Sequence, residues 1–535
     1  MKTLIAIAMV LVSASVLMSQ EILWWYELKD SAFGQACGGD LDGDGKIEIV
    51  FGCYRNDSSV YVLNAEDGSL LWKFNTSDGR VEGCNDVAPL IYDVDGDGTK
   101  EVIVPSSCNP TTFCFNGVDG SLKWTAPTRG SDSPPTIGDI DGDNEFEILH
   151  GEFLGYVICF DAKTGNRKWE LLVQPNTWIQ TAPTLVDIDG DGLLDFVVAT
   201  WCLSKSDTNR VYAFRGYDQK LLWRKDISAT VYHGTSVADI DRDGKFELIF
   251  GDYDGVLYVL NAEDGSTKWT YSIPNWYYIG SPISIADVDG DGFCELLFST
   301  AFHIVAMTKD GNILWSYQLN NESPSFRGVA LSDLDNDNLP DVVFGTSKGK
   351  VIALKGTNGV NIATIDLQEH IGKEFSIDHC PLISDFNRDG KVDAFVVGGK
   401  TEYPNFTANY GRAYLVSLGY GNGPDWLVFQ NNAHRTGSIC DLLNSVPSFA
   451  FGYFRFNLRF DFNSGDIVIE YADLPSEQIE VSILDVFGRK VYSGNESEFS
   501  DGKFRFKLEK ISSGIYFVSC KVGDIVNFKT ISIVK

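Results

Sequence analysis

The chain has 535 residues, 44% hydrophobic and 13% aromatic, a composition that belongs to folded globular proteins and excludes a disordered one. Its formal charge of −31 excludes nucleic acid as a partner, because phosphate binding needs the opposite sign. Eleven cysteines permit disulfides in an oxidising compartment with at least one left unpaired, and no CxxC spacing points to zinc.

At the amino terminus, Met1-Lys2, the apolar run Leu4–Val12 and the small residues Ser13-Ala14-Ser15 read as a secretory signal peptide over residues 1–19. The apolar stretch is shorter than the ~20 residues a membrane span needs, and no other segment has the length to cross a bilayer. Export is therefore expected, with no transmembrane segment.

Residues 21–437 carry one acidic phrase eight times, Asp-x-Asp-x-Asp-Gly with a further acid at position nine, at spacings of 46 to 53 residues. A fixed period near 50 means one supersecondary unit repeated. The first positions are Asp40, Asp93, Asp139, Asp187, Asp239, Asp287, Asp333 and Asp385. The third positions are Asp42, Asp95, Asp141, Asp189, Asp241, Asp289, Asp335 and Asn387. The fifth are Asp44, Asp97, Asp143, Asp191, Asp243, Asp291, Asp337 and Asp389, and the ninth are Glu48, Glu101, Glu147, Asp195, Glu247, Glu295, Asp341 and Asp393.

Calcium takes about six to eight oxygens at roughly 2.3–2.6 Å, and alternate residues of a tight turn can converge on one such ion. Of the 32 positions, 31 hold a carboxylate, and the exception, Asn387, still offers an amide oxygen. Position six needs a sharp bend, which Gly supplies in six copies and Asn144 and Asn338 in the others. Solvated Asp-Gly hairpin turns are the plain alternative, but eight copies in register favour Ca2+ at every loop. An EF-hand does not fit: its twelfth position would be Phe51, and the flanks, such as Ile47 to Phe51, are β-branched strand sequence rather than helix. Eight ions would bring the charge from −31 to about −15.

Each repeat predicts four short strands. One leads into the acidic loop (Ala182 to Asp187) and one follows it (Glu247 to Gly251). A third (Gly255 to Leu260) and an Asp-Gly turn lead to a fourth, which carries Trp72, Trp124, Trp169, Trp223, Trp269 or Trp315. Four antiparallel strands per 50 residues are one propeller blade. The eighth repeat ends at Ala413 to Val416 with no fourth strand, and Ile22 to Tyr26 precedes the first loop. The amino-terminal strand is expected to complete the last blade and close an all-β, eight-bladed β-propeller, with seven blades as the alternative. The tryptophans are expected to fill the wedges between blades.

The acidic loop and the strand after it resemble the FG-GAP (VCBS-type) repeat of integrin alpha-chain propellers. The stretches Asn64 to Trp72 and Asp161 to Trp169 resemble the repeat of quinoprotein propellers. Several quinone enzymes carry a vicinal cysteine pair, and no two cysteines are adjacent here. After a linker at 438–452, residues 453–535 read as a small immunoglobulin-like β-sandwich with alternating polar and apolar positions. Val481 to Val491, Ile511 to Val518 and Lys529 to Lys535 resemble the C-terminal sorting domain of type IX secretion. That resemblance implies type IX machinery as a partner, passage across the outer membrane and attachment at the cell surface.

The acidic loops and Asp-Gly turns are expected on one face, with the more variable connections on the other. The latter include Trp178, Trp201, Tyr232, His233, Trp276, Tyr277, Tyr278, Phe326, Arg327 and His379, and Cys37, Cys53, Cys84, Cys108, Cys202 and Cys380 fall in the same kind of loop. The expected function is a secreted, non-catalytic, calcium-stabilised surface propeller, a monomer, that binds carbohydrate or protein in adhesion. The alternative is a calcium-dependent polysaccharide lyase, for which His233, Arg327 and His379 are the candidate base and charge-stabilising groups.

Overall fold

In the computed structural model the described residues run from Glu21 to Cys440, apart from 78, 80–81, 273–276, 403–404 and 422. Beyond Cys440 they take in only strands. The expected signal peptide, most of the expected linker and Trp276 lie outside the described residues.

Eight four-stranded antiparallel sheets follow one another between Glu21 and Gly419. The first blade comprises Cys37–Gly39, Glu48–Gly52, Ser59–Asn64 and Leu70–Asn75, and the next six repeat it. In the eighth, Leu382–Ser384, Val392–Lys400 and Tyr410–Gly419 are joined by Glu21–Leu28, which pairs antiparallel with Tyr410–Gly419. The chain therefore fastens its beginning to its last blade, and the ring has eight blades with no open edge at the seam.

In the first seven blades the second strand is buried along its whole length, as in Glu48–Gly52 and Glu247–Gly251. That matches its unbroken apolar sequence. The fourth strands alternate buried and exposed positions, because their outer edge faces solvent.

The wedge role of the tryptophans is visible in two contacts that recur from blade to blade. The indole N–H of Trp24 donates to the Ala65 carbonyl at 2.8 Å, Trp72 to Gly117 at 2.6 Å, Trp223 to Ala262 at 2.7 Å and Trp315 to Gly356 at 2.6 Å. The same rings lie over the turn glycine of the next blade. A Cβ on Gly265, whose φ is +68°, would sit 2.5 Å from Trp223. Trp24 is thus the seventh tryptophan of the set, supplied to the eighth blade by the amino-terminal strand. Trp223→Ala is expected to cost about 3–5 kcal/mol through the lost burial and the void between blades. Urea unfolding of the purified variant checks this.

One arrangement was not legible in the repeats. After the last blade, Gly423 to Ile439 winds through the centre of the ring and bonds the innermost strand of one blade after another. The Gly423 carbonyl accepts from Asp333, Leu427 from Gly38, His434 from Leu185, Thr436 from Val237 and Gly437 from Ile285, all at 2.7–3.0 Å. Trp426 exchanges both backbone bonds with Ile383. Arg435 is fully buried, and its guanidinium donates to Pro135 O at 2.8 and 3.1 Å and to Phe429 O at 2.8 Å. A Cys294–Cys440 disulfide closes the segment onto the sixth blade. The propeller unit accordingly ends at Cys440, three residues beyond the expected Gly437. A second disulfide joins Cys84 to Cys108, whereas Cys37, Cys53 and Cys380 are buried thiols and Cys202 is a half-buried one.

Among the described residues, the C-terminal unit holds eight strands in two four-stranded antiparallel sheets. One contains Phe456–Asp461, Asp466–Tyr471, Phe499–Ser500 and Lys503–Lys507. The other contains Ile479–Asp485, Lys490–Gly494, Gly514–Val522 and Ile525–Ile533.

Candidate functional site

The eight acidic loops take one geometry. Position six has a positive φ in every copy, between 66° at Asn144 and 89° at Gly192 and Gly292, so the two asparagines adopt the bend that glycine takes elsewhere. The position-one carboxylate accepts the N–H of position six at 2.7–3.1 Å in all eight. The position-nine carboxylate is buried in all eight, from Glu48 to Asp393. In seven loops it accepts the N–H of position two, as in Leu41 N–H to Glu48 at 2.6 Å and Val288 N–H to Glu295 at 3.1 Å. In the eighth, both oxygens of Asp393 lack a hydrogen-bond partner.

These turns bring the expected ligands together. Carboxylate oxygens of Asp40, Asp42 and Glu48 lie within 4.8 Å of one another, as do those of Asp93, Asp95 and Glu101, of Asp139, Asp141 and Glu147, and of Asp187, Asp189 and Asp195. The donors are all oxygen, which suits a hard cation such as calcium rather than zinc.

A buried carboxylate needs a cation, and half of the loops meet that need with a side chain. Four have a lysine inside them. Lys123 Nζ lies 2.7 Å from both Asp95 and Glu101, and Lys168 lies 2.7 Å from Asp141 and Glu147. Lys268 reaches Asp241 at 2.6 Å and Glu247 at 2.7 Å, and Lys355 contacts Asp335, Asp337 and Asp341 at 2.7–3.2 Å. Among the described residues, Glu48, Asp195, Glu295 and Asp393 have no such partner. Burial, followed by repulsion from the neighbouring aspartates of the loop, pushes the Glu48 carboxyl up to about 7 and Glu295 up to about 8. Asp393 rises to about 7 for the same reasons. These lysines were missed in the sequence, although three of them occupy the position just before a repeated tryptophan (Trp124, Trp169, Trp269).

On the opposite face, the loops between second and third strands and between blades carry a crescent of rings. Phe153 and Trp178 have centroids 5.0 Å apart, Trp178 and Trp201 6.1 Å, and Trp201 and Tyr232 5.0 Å. Tyr253 and Tyr278 are 5.7 Å apart, and Tyr232 and Phe326 6.1 Å. All of these rings are partly exposed. The residue seven positions before each acidic loop falls where the chain enters the innermost strand of a blade, and these residues together form the mouth of the axis. That offset places Asp86, Asp132, Gln180, Tyr232, Phe326 and Asp378 there, with Phe33 and Gly280 in the remaining blades.

Sequence reasoning overlooked the three aspartates of this ring, although the constant offset marks them. Gln180 Nε2 donates to Asp132 at 2.9 Å, Ser107 Oγ to Asp86 at 3.2 Å and Ser376 Oγ to Asp378 at 2.7 Å. Burial, then Asp86, raises the Asp132 carboxyl to about 7, and Arg327 opposes that rise.

The expected catalytic groups are not arranged as a base. His379 is fully buried, its Nε2 accepts the Val397 N–H at 2.8 Å and its Nδ1 pairs with Cys380 O at 2.8 Å. Burial lowers its pKa to about 4. His233 is buried against Phe326, and burial together with Arg327 holds it neutral. Only Arg327 borders the mouth, 5% exposed and with no partner for its Nε.

Comparison with known proteins agrees with this anatomy. The FG-GAP-like repeat family matches at residues 40–104, 187–250 and 239–298, and a secretion system C-terminal sorting domain matches at 463–534. The sorting domain marks the chain for type IX secretion and surface attachment, and among the described residues no helix is long and apolar enough to cross a membrane.

Two curated proteins of Bacillus subtilis are similar. The rhamnogalacturonan endolyase YesW is 26% identical over 257 residues, 41% of this chain and 38% of that protein. The rhamnogalacturonan exolyase YesX is 26% identical over 268 residues, 42% and 40%. The chain thus spans about two fifths of the curated relatives it matches. Among solved structures, the quinohemoprotein alcohol dehydrogenase of Comamonas testosteroni superposes with a TM-score of 0.55 at 13% identity, covering 76% of this chain and 77% of that one. The V. cholerae biofilm matrix protein Bap1 does so at 0.54 and 16%, covering 78% and 96%. At these identities the likeness shows the fold alone.

Proposed function

From a chain of FG-GAP-like repeats exported with a type IX sorting domain, we propose a calcium-stabilised surface propeller that binds carbohydrate on the face opposite its acidic loops. The carrying observation is the crescent of partly exposed rings from Phe153 to Tyr278. Ring faces pack against the C–H faces of pyranoses while neighbouring polar groups meet the hydroxyls. A glycan array probed with the full chain tests this. Trp201→Ala, which removes the ring at the centre of the crescent, is expected to weaken retained binding by about tenfold or more. An array with no binder, or an unaffected variant, would count against it.

Calcium on this reading is structural. The carboxylates at positions one, three, five and nine would hold it, and its charge would neutralise the buried ninth-position acids. Four loops have no ammonium beside their ninth acid. Of these, the one at Asp187 has Arg215 on Asp189 and the one at Asp385 has Asn387 at position three, so the loops at Asp40 and Asp287 are expected to bind most tightly. Lys168→Ala should raise the affinity of the loop at Asp139 by freeing its three acids, and calorimetric titration of wild type and variant would reveal the change.

A second reading, a polysaccharide lyase, is favoured by the names of the two Bacillus relatives. The burial of His233 and His379 weighs against it. Incubation with rhamnogalacturonan separates the two readings: unsaturated products support the lyase, and binding without cleavage supports the adhesin.

A further inference from the structure

The mouth at the propeller axis has a charge that the crescent alone does not explain. Asp86, Asp132 and Asp378 come from blades two, three and eight. Arg327 acts on this group, and Arg55, on the first-blade side, is already paired with Glu82 at 2.9 Å. His233 and His379, which face the same region, are held neutral by burial. The mouth therefore carries two more negative charges than positive ones when its carboxyls are ionised.

Its polar groups are also incompletely used. Gln180, 4% exposed, spends its Nε2 on Asp132 and leaves Oε1 without a partner, and the second oxygen of Asp132 has none either. Unpaired buried acceptors cost free energy until a donor arrives. Two aromatic faces stand beside them: Tyr232, which feels the charges of Asp132, Asp86 and Asp378, and Phe326, 6.1 Å from it. Tyr54 faces Asp86 and Asp132 from the first blade. Acceptors without donors, a surplus of carboxylate and partly exposed rings are together the recognition chemistry of an ammonium group.

We infer that the axial mouth formed by Asp86, Asp132, Gln180, Tyr232 and Asp378 selects a saccharide bearing a free amine, an amino sugar within the bound glycan, over neutral or uronate sugars. This rests on the carbohydrate-binding reading above. The crescent would grip the chain through its ring faces, and the mouth would choose the unit that carries the ammonium. A uronate would meet repulsion from three carboxylates, with only Arg327 to attract it.

The test uses the full chain and defined probes at fixed calcium: glucosamine hexamer, its N-acetylated counterpart, oligogalacturonate and oligolysine of matching length. Calorimetric titration is expected to show the glucosamine hexamer binding at least about tenfold tighter than the acetylated one. Asp132→Asn and Asp86→Asn should each remove most of that preference, weakening the glucosamine hexamer far more than the acetylated one. Both replacements keep the shape of the side chain, and an unaltered melting curve would show that they fold.

Equal binding of the two hexamers, or tighter binding of oligogalacturonate, overturns the amine assignment but not the carbohydrate reading. Oligolysine binding as tightly as glucosamine hexamer overturns the saccharide class. If no sugar binds and Trp201→Ala changes nothing, both readings fall.

Discussion

Excess chelator is expected to lower the stability of the propeller, if calcium fills its loops, by several kcal/mol and in one cooperative step. If each loop binds with the ~10⁻⁴ M affinity common outside cells, tenfold excess calcium adds about 1.4 kcal/mol per site. Eight independent sites total on the order of 10 kcal/mol, as much as a whole domain commonly has. If the four loops that already hold a lysine contribute little, the loss falls to about half of that.

The pH dependence gives the sign. In the metal-free chain the carboxyls of Glu48 and Glu295 are raised to about 7 and about 8, above the ordinary glutamate value of ~4.3. A carboxyl raised by folding stabilises the fold while protonated, and that contribution disappears as pH climbs through the folded value. Metal-free protein should therefore melt higher near about pH 5 than near about pH 8. Excess calcium should reverse the order, because the ion needs ionised ligands. Calorimetric melts at the two pH values, with and without chelator, measure both effects. Identical melts in all four conditions would leave no structural role for the metal.

Replacing Arg435 with alanine is expected to cost about 4 kcal/mol or more. Its guanidinium is buried with no carboxylate beside it, and burial lowers its pKa to about 10. The charge is held by the carbonyls of Pro135 and Phe429. Removing it leaves those acceptors unsatisfied, at about 1–3 kcal/mol each, and adds a cavity on the axis.

The expected consequence is local as well as global. Gly423 to Ile439 bonds the innermost strands of seven blades, so loss of its anchor should free amides such as those of Leu185 and Val237 to exchange. Denaturant midpoints read the stability, and hydrogen exchange reads the release of the axial segment. A variant with unchanged protection at Leu185 and Val237 would show that Arg435 does not hold the axis together.

The blades, their number and the closing strand could be read from the chain because each depends on local pattern. A fourfold alternation of apolar runs and turns repeats at a fixed period. The missing fourth strand after Val416 has an obvious counterpart in Ile22 to Tyr26, and position six of each acidic loop admits only residues that tolerate positive φ. The tryptophans were legible for the same reason: a large ring at a constant place has a constant neighbour.

Tertiary structure alone decided the rest, where residues far apart in sequence meet at the axis. Arg435 bonds a carbonyl 300 residues away, and Asp86, Asp132 and Asp378 become neighbours only once the ring closes. The separation of lysine-filled loops from lysine-free ones also needed the fold, since a side chain 14 or more residues beyond its carboxylates reaches them only by strand pairing. Local periodicity is written in the chain because backbone sterics act over a few residues. Charge and hydrogen-bond partners at the axis are not, because they depend on distances that exist only after closure.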